Sequence, residues 1–362
     1  MLALQGSKGT KVNNAAAERS RLWEKLLPGG PPTLWCPPLT HYRPDGSIDH
    51  ERIAARVASM APYVKGVLVP GSTGDGWELA DEEAVEVLSL FLDLAPRHGM
   101  RILVGALATD HKQAIAFLEK TAATLGERTG CGEPLEALAA ARVCGFALCP
   151  PKGSDRSQEE IASALEEALV LGLPLAIYQL PQVTENEVSP QVVADLASRY
   201  PNLVMLKDSS GRDSVATSGL DLGGMFVVRG AEGDYHRWLK AGGGPYDGFL
   251  LSTANCFAAQ LSEMIELLAA GRARQAQSLS ERLTRAMNAA FEVLRGLPCG
   301  NIYANANKAI DHFMAFGPEA LDFPPPRLHA GLRMPRQALE ATGAVLSQFG
   351  LMPSRGYLEG TR

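Results

Sequence analysis

From Thr33 onward, short apolar runs alternate with amphipathic helical patterns along the chain. This alternation is typical of βα units around a parallel sheet. Eight candidate strands begin near Leu34, Gly66, Ile102, Phe146, Leu175, Leu203, Phe226 and Gly248. An open doubly wound sheet is the alternative, but that fold usually carries a glycine fingerprint at its first βα turn, where this chain has Pro-Pro-Leu-Thr-His-Tyr. We therefore predict an α/β fold, a closed (β/α)8 TIM barrel with a C-terminal helical annex.

The chain has 362 residues, more than the roughly 250 of a typical barrel, so additional segments are expected. Residues 1–32 are predicted to form an N-terminal extension, a tail with one short helix closed by Pro-Gly-Gly-Pro-Pro. Residues 33–255 would form the barrel. Residues 256–362 would form the last barrel helix and the annex, with helices at about 256–270, 272–296, 302–315 and 335–349.

The spacing between the third and fourth strands is unusually long. The pattern of the third helix is interrupted at Gly126–Pro134, and Leu135–Val143 has a helical pattern again. We interpret this as an insertion of roughly twenty residues on the third helix of the barrel, compared with usual βα spacings.

Composition excludes several classes of protein. The chain is 46% hydrophobic but has no apolar run long enough to cross a bilayer, which argues against a membrane protein. With 34 basic and 40 acidic residues the net charge is -6, and no block of one sign suggests nucleic acid as a partner. The six cysteines form no CxxC pair, and the N-terminal residues lack the apolar core of a secretory signal. We expect a cytoplasmic protein.

The stretch Leu203–Gly211 (LVMLKDSSG) places Lys207 where a buried strand meets a turn. An apolar floor lowers the pKa of an ammonium group and favours the neutral amine that attacks carbonyls. The alternative is a lysine that extends from a sheet edge into water. The sequence therefore makes Lys207 a candidate nucleophile.

Two further strand ends carry candidate functional groups. The second strand leads into Pro70–Gly76 (PGSTGDG), whose backbone amides and two hydroxyls could bind an anion; an ordinary glycine turn is the alternative. Because the loop lacks the Gly-Lys-Ser/Thr of a phosphate-binding loop, a carboxylate is the expected ligand rather than a phosphate. The fifth strand ends in Tyr178, which is either a packed aromatic or a phenol that transfers protons beside an imine-forming amine.

Three motifs in this order resemble the pyruvate-dependent class I aldolase superfamily of dihydrodipicolinate synthase and N-acetylneuraminate lyase. They are GSTGD, YQLP with the following Thr184, and LKDSSG, within a resemblance that covers about residues 33–335. It implies that Lys207 forms a Schiff base with a 2-oxo acid and that Tyr178 shuttles protons. The carboxylate would be held by Ser72 and Thr73, in the loop between Gly71 and Gly74. Thr40 and Ser252 fall at predicted strand ends and could line the pocket, although capping or turn hydrogen bonds explain these two equally well. The resemblance also implies a homo-oligomer, a dimer or tetramer.

The chain departs from the synthase pattern at several positions. The tyrosine pair after the fourth strand is replaced by Cys149–Lys152, and the arginine that follows the strand-five tyrosine by Gln182-Val183. The glutamate after the glycine loop is Asp75, and Thr184 is followed by Glu185 rather than glycine. These departures from the pattern argue against lysine biosynthesis and favour another acceptor or a sugar-acid substrate.

Other polar residues at strand ends could line the pocket, although capping or turn hydrogen bonds explain them equally well. They are Gln179, Glu232 and Asn255, with Trp77 and Glu78 in the second-strand loop and Asp208, Ser209 and Ser210 as expected caps. The seven histidines show no HxH or HExxH spacing, so neither a metal nor another cofactor is predicted.

These observations predict a class I lyase that acts on pyruvate or a pyruvate-derived 2-oxo acid, in some reactions together with an aldehyde. A second interpretation keeps the imine but makes the enzyme a dehydratase of keto-deoxy sugar acids. A third is a catalytically silent barrel that binds a metabolite. Product analysis separates the first two, and loss of all turnover with retained binding would identify the third.

Overall fold

The computed structural model describes residues 6–359. Eight strands follow one another in chain order and pair into a closed parallel barrel, which confirms the predicted (β/α)8 fold. The strands are β1 (Leu34–Cys36), β2 (Gly66–Val69), β3 (Arg101–Ala106), β4 (Val143–Leu148), β5 (Leu175–Gln179), β6 (Leu203–Asp208), β7 (Phe226–Arg229) and β8 (Gly248–Leu250). All eight predicted strands are confirmed, although β4 begins three residues earlier than expected.

Twelve α-helices occur in the described part of the chain. They are α1 (Gly6–Leu26), α2 (His50–Met60), α3 (Asp81–His98), α4 (His111–Thr129), α5 (Pro134–Ala140), α6 (Gln158–Leu169), α7 (Pro181–Thr184), α8 (Pro190–Arg199), α9 (Ala254–Ala269), α10 (Ala273–Val293), α11 (Ile302–Phe316) and α12 (Arg336–Gln348). The last four match the four helices predicted for the annex. None of these helices has the length and apolar character that a membrane crossing requires.

Local sequence signals explain where two of the barrel helices begin. The Ser157 hydroxyl accepts a hydrogen bond from the Glu160 amide, and the Glu160 carboxylate accepts one from the Ser157 amide. This capping box pairs donors that a helix start leaves open. The Ser189 hydroxyl caps α8 in front of Pro190, whose fixed φ suits the first helical position.

The residues pack into two compact units. The first unit contains residues 6–33, Arg101–Ala231 and Pro245–Phe249; it includes α1 and the strands β3 to β7. The second unit contains Leu34–Met100, Glu232–Gly244 and residues 250–359; it includes β1, β2 and α9 to α12. The predicted boundaries after residues 32 and 255 stay a prediction.

Helix α1 corrects the prediction of a tail with one short helix. It is 21 residues long, and within the first unit its Arg19 side chain is fully buried. The Arg19 guanidinium donates hydrogen bonds to four backbone carbonyls, those of Ala197, Tyr200, Leu203 and Gly223. Burial lowers the pKa of Arg19 to about 10. The N-terminal helix is thus anchored to the end of α8 and the start of β6.

The segment after β3 differs in detail from the predicted insertion. Helix α4 continues through Gly126 and ends at Thr129, because Gly130 adopts the left-handed conformation that commonly closes a helix. Helix α5 follows, and Glu136 on it forms an ion pair of 2.5 Å with Lys25 of α1. The interruption was therefore predicted about four residues too early.

Candidate active site

Lys207 lies within β6 rather than at its end, and it is only 3% exposed. The register of the two parallel strands pairs it with Tyr178 of β5. Its Nζ lies 3.8 Å from the centroid of the Tyr178 ring. The two side chains predicted to perform the chemistry are therefore in contact in the first unit. The buried Cys149 is also close enough for Lys207 to affect its titration, although burial is the larger effect and raises the pKa of that thiol.

Gly230 provides space for the lysine. A methyl group at this position would lie 2.9 Å from Cε of Lys207 and would collide with the hydroxyl of Ser209. Contacts below about 3.0 Å force one of the two groups to move. The amide of Gly230 also donates a hydrogen bond of 2.7 Å to the carbonyl of Asp208. The absence of a side chain at residue 230 therefore leaves room for the Lys207 stem.

A buried polar network continues from β6 into the following loop. Asp208 accepts a hydrogen bond from the amide of Ser210, which confirms its predicted capping role. Its other oxygen accepts one of 3.3 Å from the phenol of Tyr246, which also donates to Asp213 at 2.6 Å. Asp213 in turn pairs with Arg229 at 2.8 Å. Burial, with Asp208 close by, raises the pKa of Tyr246 well above its ordinary value, so this phenol remains a donor.

In the second unit, the predicted anion loop forms a single 3-10 turn at Ser72–Gly74. The amides of Gly74 and Gly76 donate to the carbonyl of Gly71, so these two groups bind the loop itself rather than a ligand. The amides and hydroxyls of Ser72 and Thr73 make no hydrogen bond to any residue between 6 and 359. These are the groups in the loop that remain available to an anion.

The two glycines of this loop serve close packing. A methyl group on Gly71 would lie 2.7 Å from Cβ of Pro37 and 2.9 Å from the carbonyl of Leu68. One on Gly74 would collide with the carbonyl of Pro38. The loop after β2 is thus pressed against the loop after β1, and glycine is required at both positions for a steric reason.

Asp75, which follows the loop, is held by a buried lysine that the sequence analysis missed. Lys308 of α11 pairs with the Asp75 carboxylate at 2.5 Å, and the two side chains are 1% and 3% exposed. The phenol of Tyr42 donates to the same carboxylate oxygen at 2.8 Å. Asp75 has a φ of 61°, a conformation that costs energy for a residue other than glycine. Lys308 and Tyr42 therefore hold a strained residue at the edge of the anion loop.

Helix α11 contacts the loop a second time. Its N-cap Asn301 donates a hydrogen bond of 3.0 Å to the carbonyl of Ser72 and caps the amide of Ala304. Several polar residues that follow in α11 are buried, which is unusual in a helix of an annex: Asn305, Asn307, Lys308, Asp311 and His312. Polar residues at positions of an apolar helical stripe were the signal that could have identified this helix as functional.

Two predicted substrate-binding hydroxyls donate to protein groups instead. Thr40 donates to the carbonyl of Gly74 at 2.7 Å, and Ser252 donates to Glu232 at 2.6 Å. Glu232 also accepts from the Thr253 amide and hydroxyl and from the phenol of Tyr235. All its lone pairs are thus directed at protein donors. A substrate could use the hydroxyls of Thr40 and Ser252 only as acceptors.

Two of the remaining candidates, Gln179 and Asn255, have structural partners. Gln179 accepts a hydrogen bond from the amide of Val188, and the Asn255 side chain bonds the backbone of Leu39 and Pro37. Trp77 is half-buried and Glu78 is exposed. Among residues 6–359, no three histidine, cysteine, aspartate or glutamate side chains are grouped as metal ligands would be. The expectation that no cofactor is needed stays a prediction.

The sequence of this chain is similar to those of known proteins. Residues 142–300 match the model of the Dihydrodipicolinate synthetase family. A 4-hydroxy-tetrahydrodipicolinate synthase from Stenotrophomonas maltophilia is 30% identical over 247 residues, which cover 67% of this chain and 76% of the relative. An uncharacterized DapA-like lyase from Rhizobium meliloti is 27% identical over 171 residues, and the chain spans about half of its length, 51%.

Solved structures agree with this assignment at the level of the fold. A dihydrodipicolinate synthase has a TM-score of 0.66 at 18% identity, with 88% of this chain and 99% of that chain covered. The Escherichia coli prophage protein YagE, solved in complex with pyruvate, has a TM-score of 0.67 at 18% identity over the same shares of the two chains. The length and identity of the Stenotrophomonas match, together with the family model, show that this chain belongs to the dihydrodipicolinate synthetase family, whose members are class I carbon–carbon lyases.

Proposed function

We propose that Lys207 forms a Schiff base with the ketone of pyruvate or of a pyruvate-derived 2-oxo acid. The observation that carries this proposal is the burial of the Lys207 amine at 3.8 Å from the ring centroid of Tyr178. A buried lysine beside a phenol has the nucleophile and the proton-transfer group that imine formation requires.

In the proposed mechanism, the unprotonated amine of Lys207 attacks the carbonyl carbon and forms a carbinolamine. Tyr178 passes a proton to the carbinolamine oxygen, which leaves as water when the iminium forms. The iminium then accepts the electron pair of a bond at C3, the carbon beside the imine carbon, and an enamine results. In aldol cleavage this is the C3–C4 bond, and the outer fragment loses its hydroxyl proton and leaves as an aldehyde. Protonation of the enamine and hydrolysis of the imine release the product and regenerate the amine.

We infer that Ser72 and Thr73 bind the carboxylate of the substrate. Their amides and hydroxyls are the unpaired donors of the second-strand loop. The resemblance to the aldolase superfamily assigns this role to the same two residues, within the motif GSTGD. Fixing the acid while the ketone meets the amine converts an encounter of two molecules into a positioned reaction.

We propose that the second substrate of this chain differs from that of the synthases that it resembles. The chain has Gln182 where the family pattern has an arginine, and its amide nitrogen donates to the carbonyl of Ser209. The nearby Lys152 forms an ion pair of 3.0 Å with Glu185. No unpaired cation therefore takes over the role of that arginine at these positions. An aldehyde without a distal carboxylate is the acceptor that we expect.

Borohydride reduction in the presence of pyruvate tests the nucleophile. We expect a stable adduct on Lys207, identified by mass spectrometry of the digested protein. Lys207→Ala should abolish it, whereas Lys112→Ala, a change at an exposed lysine, should leave it intact. An adduct on another lysine, or none in the native chain, would contradict the proposal.

Product analysis with a series of 2-oxo acids and aldehydes then defines the reaction. Release of pyruvate identifies aldol cleavage, while loss of water with retention of all carbon atoms identifies a dehydratase of keto-deoxy sugar acids. Binding without any turnover would identify a silent barrel. A dimer or tetramer and a cytoplasmic location stay predictions; light scattering on the purified chain tests the former.

A further inference from the structure

A separate cavity of about 350 Å³ lies in the second unit, a volume at the lower end of small-molecule sites. None of the residues assigned above to the reaction lines it. Its walls come from the second half of α2, the start of α9, the end of α11 and the C-terminal segment; they include Arg56, Met60, Gln260, Met314 and Arg355. No aspartate or glutamate is among the described residues that line this cavity.

The buried charged side chains behind the wall of this cavity include more positive than negative groups. The fully buried Asp311 pairs with Arg52 at 2.8 Å and with Nε of Arg56 at 3.2 Å, and it accepts a hydrogen bond from Tyr357. Burial alone would raise the pKa of Asp311, but Arg52, His41 and Arg56 hold it below the ordinary value. Burial lowers the pKa of His41 to about 3, so this ring is neutral near pH 7. Two guanidinium groups thus face one carboxylate.

The surplus positive charge faces the cavity. The Arg56 side chain is 7% exposed; its Nε pairs with Asp311 and its Nη1 bonds Ser59, but its Nη2 has no hydrogen-bond partner among residues 6–359. Arg355 is exposed at the same cavity and makes no ion pair with any described residue. Arg56 shares the single carboxylate of Asp311 with Arg52, and a bound anion would supply the second negative charge that this buried cluster lacks.

We propose that this cavity binds a small organic anion, a carboxylate or a phosphate ester, between Arg56 and Arg355. Guanidinium groups bind both kinds of anion through paired, charge-assisted hydrogen bonds. Met60 and Met314 provide the apolar surface for the rest of the molecule. The site is independent of Lys207 and of the proposed reaction.

Calorimetric titration of the full chain with inorganic phosphate and with succinate, at constant ionic strength, tests the site. We expect one anion to bind per chain. Tighter binding of phosphate than of succinate would indicate that the site takes a phosphate ester, and tighter binding of succinate would indicate that it takes a carboxylate. Arg355→Gln should weaken binding at least tenfold. Gln260→Glu, which places a negative charge of the same shape in the wall, should weaken it as strongly. Arg274→Gln, a change at an exposed arginine on α10, is the matched control and should bind as the native chain does.

The proposal is wrong if neither anion binds at millimolar concentration. It is also wrong if both anions bind but Arg355→Gln and Gln260→Glu retain native affinity, since the anion would then occupy another site such as the loop at Ser72. Melting temperatures of the variants show whether each is folded before its affinity is compared.

Discussion

Lys207 passes close to a glycine, Gly230, that the motif analysis did not single out. Sequence alone identified the lysine and the tyrosine, because both stand at the end of an apolar run that predicts a buried strand. It could not identify Gly230, which lies at the end of the next strand and approaches Lys207 only in the folded barrel. The same holds for Lys308, which is more than two hundred residues from Asp75 along the chain.

Gly230→Ala should displace the amine. The added methyl group would meet Cε of Lys207 at 2.9 Å, so we expect the rate of pyruvate-dependent borohydride trapping to fall at least tenfold. Gly132→Ala is the control, because Gly132 has no atom within 4 Å of the corresponding position. Native trapping rates in both variants would show that the space at Gly230 does not position the lysine.

At the scale of elements, α11 and α1 were predicted as helices, but their tertiary roles were not. Helical periodicity gave the bounds of α11 to within a residue, yet it says nothing about partners distant in sequence. The length of α1 was underestimated because its apolar stripe is weak. What fixes α1 is a polar side chain, Arg19, and apolar periodicity cannot detect such an anchor.

Lys308→Met should destabilise the second unit. The Asp75 carboxylate would remain buried without its cation, a loss that typically costs about 3–5 kcal/mol of unfolding free energy. Adding Asp75→Asn should recover part of that loss, because the charge is then removed. Urea unfolding measures both effects. If Lys308→Met alone is as stable as the native chain, the pair of Lys308 and Asp75 contributes nothing to the docking of α11.

Arg19→Met should weaken the attachment of α1 to the first unit. Four buried carbonyls would lose their donor, and we expect the unfolding free energy to fall by about 2–4 kcal/mol. Arg21→Met changes an exposed arginine of the same helix and should be within about 0.5 kcal/mol of the native value. Equal urea midpoints for the two variants would contradict the anchoring role.

At the scale of the whole molecule, the alternation of apolar runs predicted eight βα repeats, and the lack of a glycine fingerprint at the first βα turn favoured the closed barrel over an open sheet. The two packing units were not predictable from local patterns. Each unit joins segments that lie far apart in sequence, and only long-range contacts decide which segments pack together.

Two buried histidines make the stability of the molecule depend on pH. Burial lowers the pKa of His41 to about 3 and that of His312 to about 4, while both rings titrate near 6.5 in the unfolded chain. Between these values the unfolded chain binds protons that the folded chain does not, so stability decreases as the pH falls below about 6.5. Each histidine should contribute up to about 1.4 kcal/mol per pH unit in this window.

Urea unfolding near pH 7, pH 6 and pH 5 measures that slope. His41→Gln should reduce it by roughly 1 kcal/mol per pH unit, because one of the two titrating rings is removed. His98→Gln, on α3, serves as the comparison and should leave the slope unchanged. An unaltered slope in His41→Gln would show that this ring is protonated equally easily in both states.

The anchoring of α1 also has a consequence for protein synthesis. Arg19 leaves the ribosome early, but its carbonyl partners follow 178 to 204 residues later. At a translation rate of about 5–20 residues per second, the nascent helix waits roughly 10–40 s before it can dock. The first unit is completed only when Phe249 has emerged, so the segment around Arg19 must avoid misfolding or capture by chaperones until then.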